Sequence, residues 1–556
     1  MTRVRLLAVV TMLVGALLAG SWLVRRGLAS PAVVTRLSTT QGEHLLEAVM
    51  NRIEASWVDS MAADELYRRA ALGMLEELGD PNTAFLPPDR LSRLREVTSG
   101  SYRGVGMSVD IRDGWITVMS TRVGLPAERA GIQQGDRLVE INGQSMKGWT
   151  VDEARNTLRG PLGSTVKLTI EKRFGGARVP LTIVRSDIHV SSVTRAMLLS
   201  GGVGYFSITS FTDSTAMEVQ SALDSLVTAG ATSLIVDLRG NPGGVLAQGV
   251  AVADLFLDEG QKIVSTRGRI ASANVSFMDK APQRWPKLPV VVIVNGFTAS
   301  SAEIVAGALQ DHDRAIVIGR PSYGKGSAQA VIPLEGGAAV KLTNALWYTP
   351  SGRSIDRSHI GRADAPLADT TRPHYKTDRG RVVAGGGGIV PDLVVGDSTV
   401  SPVERRWVES IGSRVPQFRE ALTSCAEEVA RRGMVTDPEF AVTAEMREGL
   451  WRAMLAIKLK VPRDAFDDAH EAIDRVLGTE VARAAFGVPG AQQRFVRGDV
   501  VIARAVKLLT GVRAPNALFE RVAQATARPK PDGPDNGRGE QGVCRGLAGA
   551  LQGRGR

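Results

Sequence analysis

VVVIVNGFTASSAEIVAGALQD, residues 290–311, runs from an apolar strand-like segment through a short turn into an apolar helix, and Ser300 stands where that helix starts. A helix start offers unpaired backbone N–H groups and the positive end of the helix dipole, both suited to a developing oxyanion. Twenty-five residues on, Lys325 lies between two glycines in SYGKGSAQ, residues 322–329, at the head of another strand-like run. A serine hydroxyl is a poor nucleophile until an adjacent base takes its proton. A lysine can be that base only where burial among apolar groups lowers its pKa from about 10.4 towards roughly 7 to 8. Gly324 and Gly326 let the backbone pass close to other segments, and AQAVIPL, residues 328–334, brings no charge. Gln329, four residues after the lysine, is placed to hydrogen-bond its nitrogen. DLRGNPGG, residues 237–244, follows a third apolar run, and Gly243 and Gly244 can present backbone N–H groups as a further oxyanion donor. The three segments read together as a serine nucleophile with a lysine general base.

Taken singly, each motif has a plainer reading. Ser300 and Glu303 fit the S-x-x-E capping box, and a lone lysine is usually solvated. Two rival chemistries also fail on spacing. GRPSYGKG, residues 319–326, comes within one residue of the phosphate-loop pattern, but Gly326 takes the place of the hydroxyl that would hold magnesium. The segment after it reads as a strand ending at Pro333, whereas a phosphate loop feeds a helix. A triad of Ser300, His312 and Asp313 would need a hydrogen bond across twelve residues of one helix, about 18 Å at 1.5 Å per residue. No other histidine of the six sits in a catalytic pattern, and metal-ligand spacing is absent, so neither metal nor cofactor is expected.

DLRGNPGG, NGFTASSAEIVAGALQD, GRPSYGKGSAQ, YTPSGRSI (348–355) and GGGGIVPD (385–392) occur in the order found in the carboxyl-terminal processing, or tail-specific, serine peptidases. The chain resembles that family over roughly residues 40–395. The resemblance implies an α/β peptidase core with an inserted PDZ domain, Ser300 as nucleophile, Lys325 as base and Gln329 as the partner that orients the lysine. It also implies an oxyanion hole from the backbone of Ser301 and the Gly243/Gly244 turn, and it suggests a homodimer. Phe297 and Thr298 depart from the glycine and serine more frequent in the family.

Residues 99–187 carry a second pattern. SYRGVGMSVDI is a glycine-flanked turn entering a strand, AERAGIQQGDRLVEING a helix end, turn and strand, VDEARNTLRG a helix, and KLTIEKR and VPLTIVR two more strands. This order resembles a PDZ domain, mainly β, with Gly104, Val105, Gly106 and Met107 at the carboxylate-binding loop. Such a loop holds a chain-terminal carboxylate while the peptide adds as a strand to the sheet edge. The expected substrates are therefore proteins or peptides with free, apolar C-termini.

Residues 6–24 are nineteen uncharged residues between Arg3/Arg5 and Arg25/Arg26, long enough to span a bilayer core of about 30 Å. The length favours an uncleaved membrane anchor over a signal peptide, although GLAS at 27–30 would serve as a cleavage site. With the N-terminus inside, the catalytic body lies outside the cytoplasmic membrane, on the periplasmic side where there is an outer membrane.

At 556 residues and 43% apolar content the chain can build several cores. The expected organisation is an anchor or signal segment (1–30), an N-terminal helical part (31–98), the PDZ domain (99–187), the peptidase core (188–395), a helical region (396–526) and a tail rich in glycine, proline and arginine (527–556). Apolar runs at 203–208, 233–238, 262–265, 290–294, 315–318 and 338–346, alternating with helices near 215–229, 245–257 and 300–311, imply a mixed sheet with packed helices. The helical region yields no function; packing on the core, dimerisation and binding an adaptor protein are open to it. The net charge of +10 comes from scattered lysines and arginines without a nucleic-acid motif, so nucleic acid is not an expected partner. Cys425 and Cys544 do not indicate a disulfide. The alternative to a peptidase is a membrane-tethered PDZ scaffold with an inert or adaptor-gated core.

Overall fold

The computed structural model describes residues 38–173, 176–357, 372–396 and 401–527. The expected anchor at 6–24, and the expected tail beyond residue 527, lie outside them. Among the described residues no helix is long and apolar enough to cross a membrane. The chain forms two units, the first ending at Phe85. In the first, α1 (Thr39–Ser56) starts at Ser38, which exchanges hydrogen bonds with Gln41 in a capping box; α2 (Ala63–Glu76) follows.

The second unit begins with α3 (Pro88–Ser99). β1 (Ser101–Gly104) then leads through Val105 and Gly106 into an antiparallel sheet of β2 (Met107–Arg112), β3 (Trp115–Thr121), β4 (Arg137–Ile141), β5 (Thr165–Glu171) and β6 (Arg178–Val184), neighbours in that order. α4 (Val151–Leu158), capped by Thr150 and Glu153, lies between β4 and β5 in sequence and beside β2 in space. β7 (Ser186–His189) returns to pair with β1. Alternate strand residues, among them Val118, Leu138, Val166 and Ile170, fill the core under the helix. Among the described residues β2 is the outer strand on its side of this sheet, with α4 beside it.

After β8 (Val193–Leu199) the chain alternates strand and helix: β9 (Val203–Ile208), α5 (Thr215–Thr228), β10 (Ser233–Asp237), α6 (Leu246–Asp254). The pair β11 (Lys262–Gly268) and β12 (Ser276–Met278) intervenes before β13 (Val290–Val294), α7 (Ser301–Asp311) and β14 (Ile316–Gly319). β15 (Ser327–Pro333), β16 (Ala339–Tyr348) and β17 (Leu393–Val394) follow. The main sheet has the order β8, β9, β10, β13, β14, β17; β8 is antiparallel to β9 and all other pairs are parallel. Every residue of β9, β10, β13 and β14 is buried. That is why these strands read as near-continuous apolar runs: each has both faces covered.

The runs expected at 262–265 and 338–346 do not join this sheet. β11 and β16 pair with each other, and with β12 and β15, in a separate antiparallel sheet. They carry Lys262, Arg267, Lys341 and Asn344 and are only partly buried, which a doubly covered parallel sheet could not accommodate.

The helical region divides its work. α8 (Pro402–Ile411), α9 (Val415–Arg431), α10 (Ala444–Ala456) and α11 (His470–Gly498) enclose Trp407, against which Phe418 and Phe466 pack edge-on at 5.5 and 5.6 Å. α11 leaves helical geometry at Gly487, two residues before Pro489. α12 (Val500–Leu509) and α13 (Pro515–Ala527) then cross the main sheet. α5, α6 and α7 cover one face through Val219, Leu223, Val252 and Val305. Ile502, Ala505, Leu508 and Leu518 cover the other, against Tyr205, Ile235, Val291 and Ile316.

Candidate active site

Three loops leave the carboxyl ends of the adjacent parallel strands β10, β13 and β14, the place where open α/β sheets gather their functional groups. They carry the Gly243/Gly244 turn, Ser300 and Lys325.

The loop after β13 is fixed by Thr298. Its hydroxyl donates to the Leu238 carbonyl at 2.8 Å and accepts from Asn295 N at 2.9 Å. Ser300, partly buried, has φ 55° and ψ −120°, a region a residue with a Cβ occupies only when its surroundings compel it. The compulsion is visible. A Cβ on Gly243 would stand 2.6 Å from Ser300 Cβ, 2.8 Å from Ala299 O and 3.0 Å from Ser301 N, so only glycine lets the two turns meet. α7 is buried along its whole length, which anchors the serine to the centre of the core.

Of the two glycines, Gly243 has its N–H already engaged in this structure. Its N–H donates to Asn241 Oδ1 at 2.8 Å, and the Asn241 amide is itself fixed to Ile208 O at 2.9 Å. Gly244 is exposed and its N–H has no partner among the described residues, while its carbonyl accepts from Ser301 Oγ at 3.2 Å. The Gly244 and Ser301 amides are therefore the pair available for an oxyanion, with Gly243 supplying the close approach.

Lys325 reaches the nucleophile helix through Glu303. This carboxylate, fully buried, accepts from Ser300 N at 2.8 Å and Lys325 N at 2.9 Å on Oε2, and from Gly324 N at 2.7 Å and the Ser322 hydroxyl on Oε1. The two bonds on Oε2, laid end to end, keep the backbone nitrogens of Ser300 and Lys325 at most about 5.7 Å apart. Burial pushes the Glu303 carboxyl up to about 7, against the four donors that favour its charged form. Of the capping box seen in the sequence, the Glu303 half is made, while the Ser300 hydroxyl makes no cap hydrogen bond and Glu303 N donates to the Ser300 carbonyl at 2.8 Å instead. The residue whose plain reading was a cap thus joins the two catalytic candidates, a role that S-x-x-E spacing shows only in its local half.

The lysine loop is held from outside as well. Trp347 Nε1 donates to Lys325 O at 3.1 Å, and Gly326 N donates to Asp356 at 2.9 Å. Gln329 lies on β15, and its amide nitrogen donates to Ser327 Oγ at 3.0 Å and to Thr343 Oγ1 on β16 at 3.2 Å. Phe297 and Tyr323 are exposed beside Ser300 and Lys325, and a pocket of about 360 Å³ lined by Phe297, Arg320, Arg357 and Arg372 opens next to them.

His312 caps the far end of α7 and contacts Asp378 and the Lys262 carbonyl, and Asp313 pairs with Arg381, so neither approaches Ser300. In the PDZ-like module the carbonyls of Val105 and Gly106 accept from Ala127 N at 2.8 Å and Arg122 N at 3.1 Å. Gly106 has φ 79° and packs on Leu125, and Met107 opens β2.

Comparison with known proteins matches residues 202–362 to the model of peptidase family S41 and residues 94–171 to that of the PDZ domain. The chain is 38% identical over 312 residues to a carboxy-terminal-processing protease of Bartonella bacilliformis, covering 55% of this chain and 71% of that one. It is 36% identical over 336 residues to the carboxy-terminal processing protease CtpA of Bacillus subtilis, covering 60% and 71%. Among solved structures, the photosystem II D1 C-terminal processing protease shares 25% identity over 66% of this chain and 95% of that one, with a TM-score of 0.34.

Proposed function

This chain belongs to the carboxy-terminal processing proteases of peptidase family S41, and we propose that Ser300 is its nucleophile and Lys325 its general base. The observation that carries the assignment is the shared acceptor, Glu303 Oε2, which binds the backbone of both residues. On this reading Lys325 takes the Ser300 proton as Oγ attacks the scissile carbonyl, and the tetrahedral oxyanion is held by the amides of Ser301 and Gly244. Collapse to the acyl-enzyme returns the proton to the leaving amine, and water then releases the acid. On the same reading Gln329 is the partner that orients Lys325, and the bonds of its amide nitrogen to Ser327 and Thr343 fix its side chain on β15.

The substrate is a protein or peptide with a free, apolar C-terminus. Its carboxylate is taken by the loop of Gly104, Val105, Gly106 and Met107, and its chain adds to the free edge of β2. Residues 6–24 anchor the enzyme in the cytoplasmic membrane with its body outside; their length and lack of charge support this.

The test uses the full-length chain in mild detergent and a reporter protein ending in an apolar tail, compared across the parent, Ser300→Ala and Lys325→Ala. Cleavage by the parent alone is expected. Cleavage surviving in both variants would place the active site elsewhere, and a parent that binds the reporter without cutting it would favour a scaffold.

A further inference from the structure

Arg239, at the head of the turn that bears Gly243 and Gly244, is held by a residue 260 positions later in the chain. Arg239, two residues beyond β10, sets Nε and Nη2 against the carboxylate of Asp237 at 3.0 and 2.7 Å, while Nη1 donates to Asp499 Oδ2 at 2.8 Å. Asp499 is also the N-cap of α12: its other oxygen, Oδ1, accepts from Val501 N and Ile502 N, each at 2.9 Å. One side chain therefore joins the helix that covers the second face of the sheet to the head of the oxyanion turn. From Arg239 onward the turn is continuous with the site. Gly240 N donates to Asn295 Oδ1 at 3.1 Å, Asn241 O accepts from Ala299 N at 2.9 Å, and Asn241 Oδ1 holds Gly243 N.

We propose that Asp499 is a positioning residue for the peptidase reaction, acting through Arg239 to fix the Gly243/Gly244 turn against Ser300. The inference rests on the Ser-Lys reading, and it gives the helical region, which lies beyond residues 202–362 matched to the S41 model, a part in catalysis. The three groups are largely buried, at 4%, 18% and 13% side-chain exposure for Asp237, Arg239 and Asp499. Burial works against the Arg239 charge, but Asp237 and Asp499 outweigh it and hold the guanidinium above its ordinary range. Removing Asp499 leaves Arg239 still paired with Asp237, so the turn loses a tether without stranding a buried charge.

The geometry supplies a clean variant. In Asp499→Asn the side-chain oxygen keeps the cap on Val501 and Ile502, since asparagine caps as well as aspartate, while the new NH₂ faces a guanidinium donor and the link to Arg239 is lost. Asp499→Ser keeps a capping hydroxyl and cannot reach Arg239. In the full-length chain both variants are expected to lower kcat about five- to tenfold with KM within about twofold, because a displaced oxyanion donor is felt in the transition state. Amide exchange over residues 238–245 should quicken by about tenfold, with α12 protection and the thermal midpoint preserved. Unchanged kcat and exchange would overturn the proposal. So would a fall in kcat matched by melting of α12, which would mark Asp499 as a cap alone. A parent that fails to cleave would sink the peptidase reading instead, while exchange at 238–245 would still decide whether the tether exists.

Discussion

Glu303→Gln separates positioning from mere stability at this site. Each oxygen of Glu303 accepts two donors, Ser300 N with Lys325 N on one and Gly324 N with the Ser322 hydroxyl on the other. Glutamine keeps one oxygen and turns an NH₂ towards the other pair, so two donors in a fully buried place lose their acceptor at about 1–3 kcal/mol each. Against that stands a relief. Burial raises the carboxyl from 4.5 to about 7, and 2.5 pH units correspond to about 3 kcal/mol borne by the folded state once the group is ionised. The two effects are of similar size, so at pH 8 the urea midpoint of the variant should lie close to that of the parent. Activity should not survive, because either the Ser300–Lys325 bridge or the Ser322–Gly324 anchor is broken. A displacement of about 1 Å at the dyad costs on the order of 10²-fold, so kcat/KM should fall about a hundredfold. The pH dependence provides the sign. The folded state binds the Glu303 proton more tightly than the unfolded chain does, so this contribution to stability is full below about 4.5 and is lost as pH rises through about 7. The parent should therefore lose about 3 kcal/mol between pH 4.5 and 8 relative to the glutamine variant. Peptide-cleavage rates and urea unfolding at both pH values measure each arm. A variant with kcat/KM within threefold of the parent, or whose inactivity tracks a collapsed urea midpoint, would refute the clamp.

Gly244→Ala should give inactive protein with a lowered melting temperature. A Cβ there would stand 2.0 Å from the Phe211 carbonyl, whereas Gly260→Ala, facing open space at φ 83°, should cost only backbone strain; melting curves and kcat for the pair check this. Lys325→Arg should be inactive at every pH from 6 to 9, since arginine stays protonated and cannot take the serine proton; measurable turnover would contradict Lys325 as the base. Glu427 on α9 pairs with Arg173 at 2.7 Å and with Arg112 at the end of β2 at 3.7 Å. Glu427→Ala should cost about 1 kcal/mol or less of stability and speed amide exchange along β2. Unaltered exchange there would show that the pairs do not seat the PDZ domain.

What the sequence made legible was local. Ser300, Lys325 and the Gly243/Gly244 turn stand out because glycine-flanked turns between apolar runs concentrate backbone demands into a few letters. The contribution of Glu303 was half legible. Its bond to Ser300 N is an i, i+3 relation that spacing reveals, but its bonds to Gly324 and Lys325 depend on β14 lying beside β13, which no local pattern encodes. For the same reason the surroundings of Gln329 were only partly legible: four residues along a chain say nothing of which neighbouring strand takes its amide nitrogen, and Thr343 on β16 does.

The helical region shows where a longer-range argument was available from the strands themselves. β10 and β13 are apolar at successive positions, SLIVD and VVVIV, and successive residues of a strand face opposite ways, so each must be covered twice. The helices between parallel strands, α5, α6 and α7, all lie on one face. The second face needs a cover from elsewhere in the chain, and the amphipathic VVIARAVKLL of α12 provides it through Val501, Ile502, Ala505, Leu508 and Leu509. Once α12 is required there, its first residue lies at the strand ends, where the loops of the site emerge, and a cap carboxylate at that point meets Arg239. The same unbroken apolar runs that demand the helix thus bring Asp499 to the active-site turn.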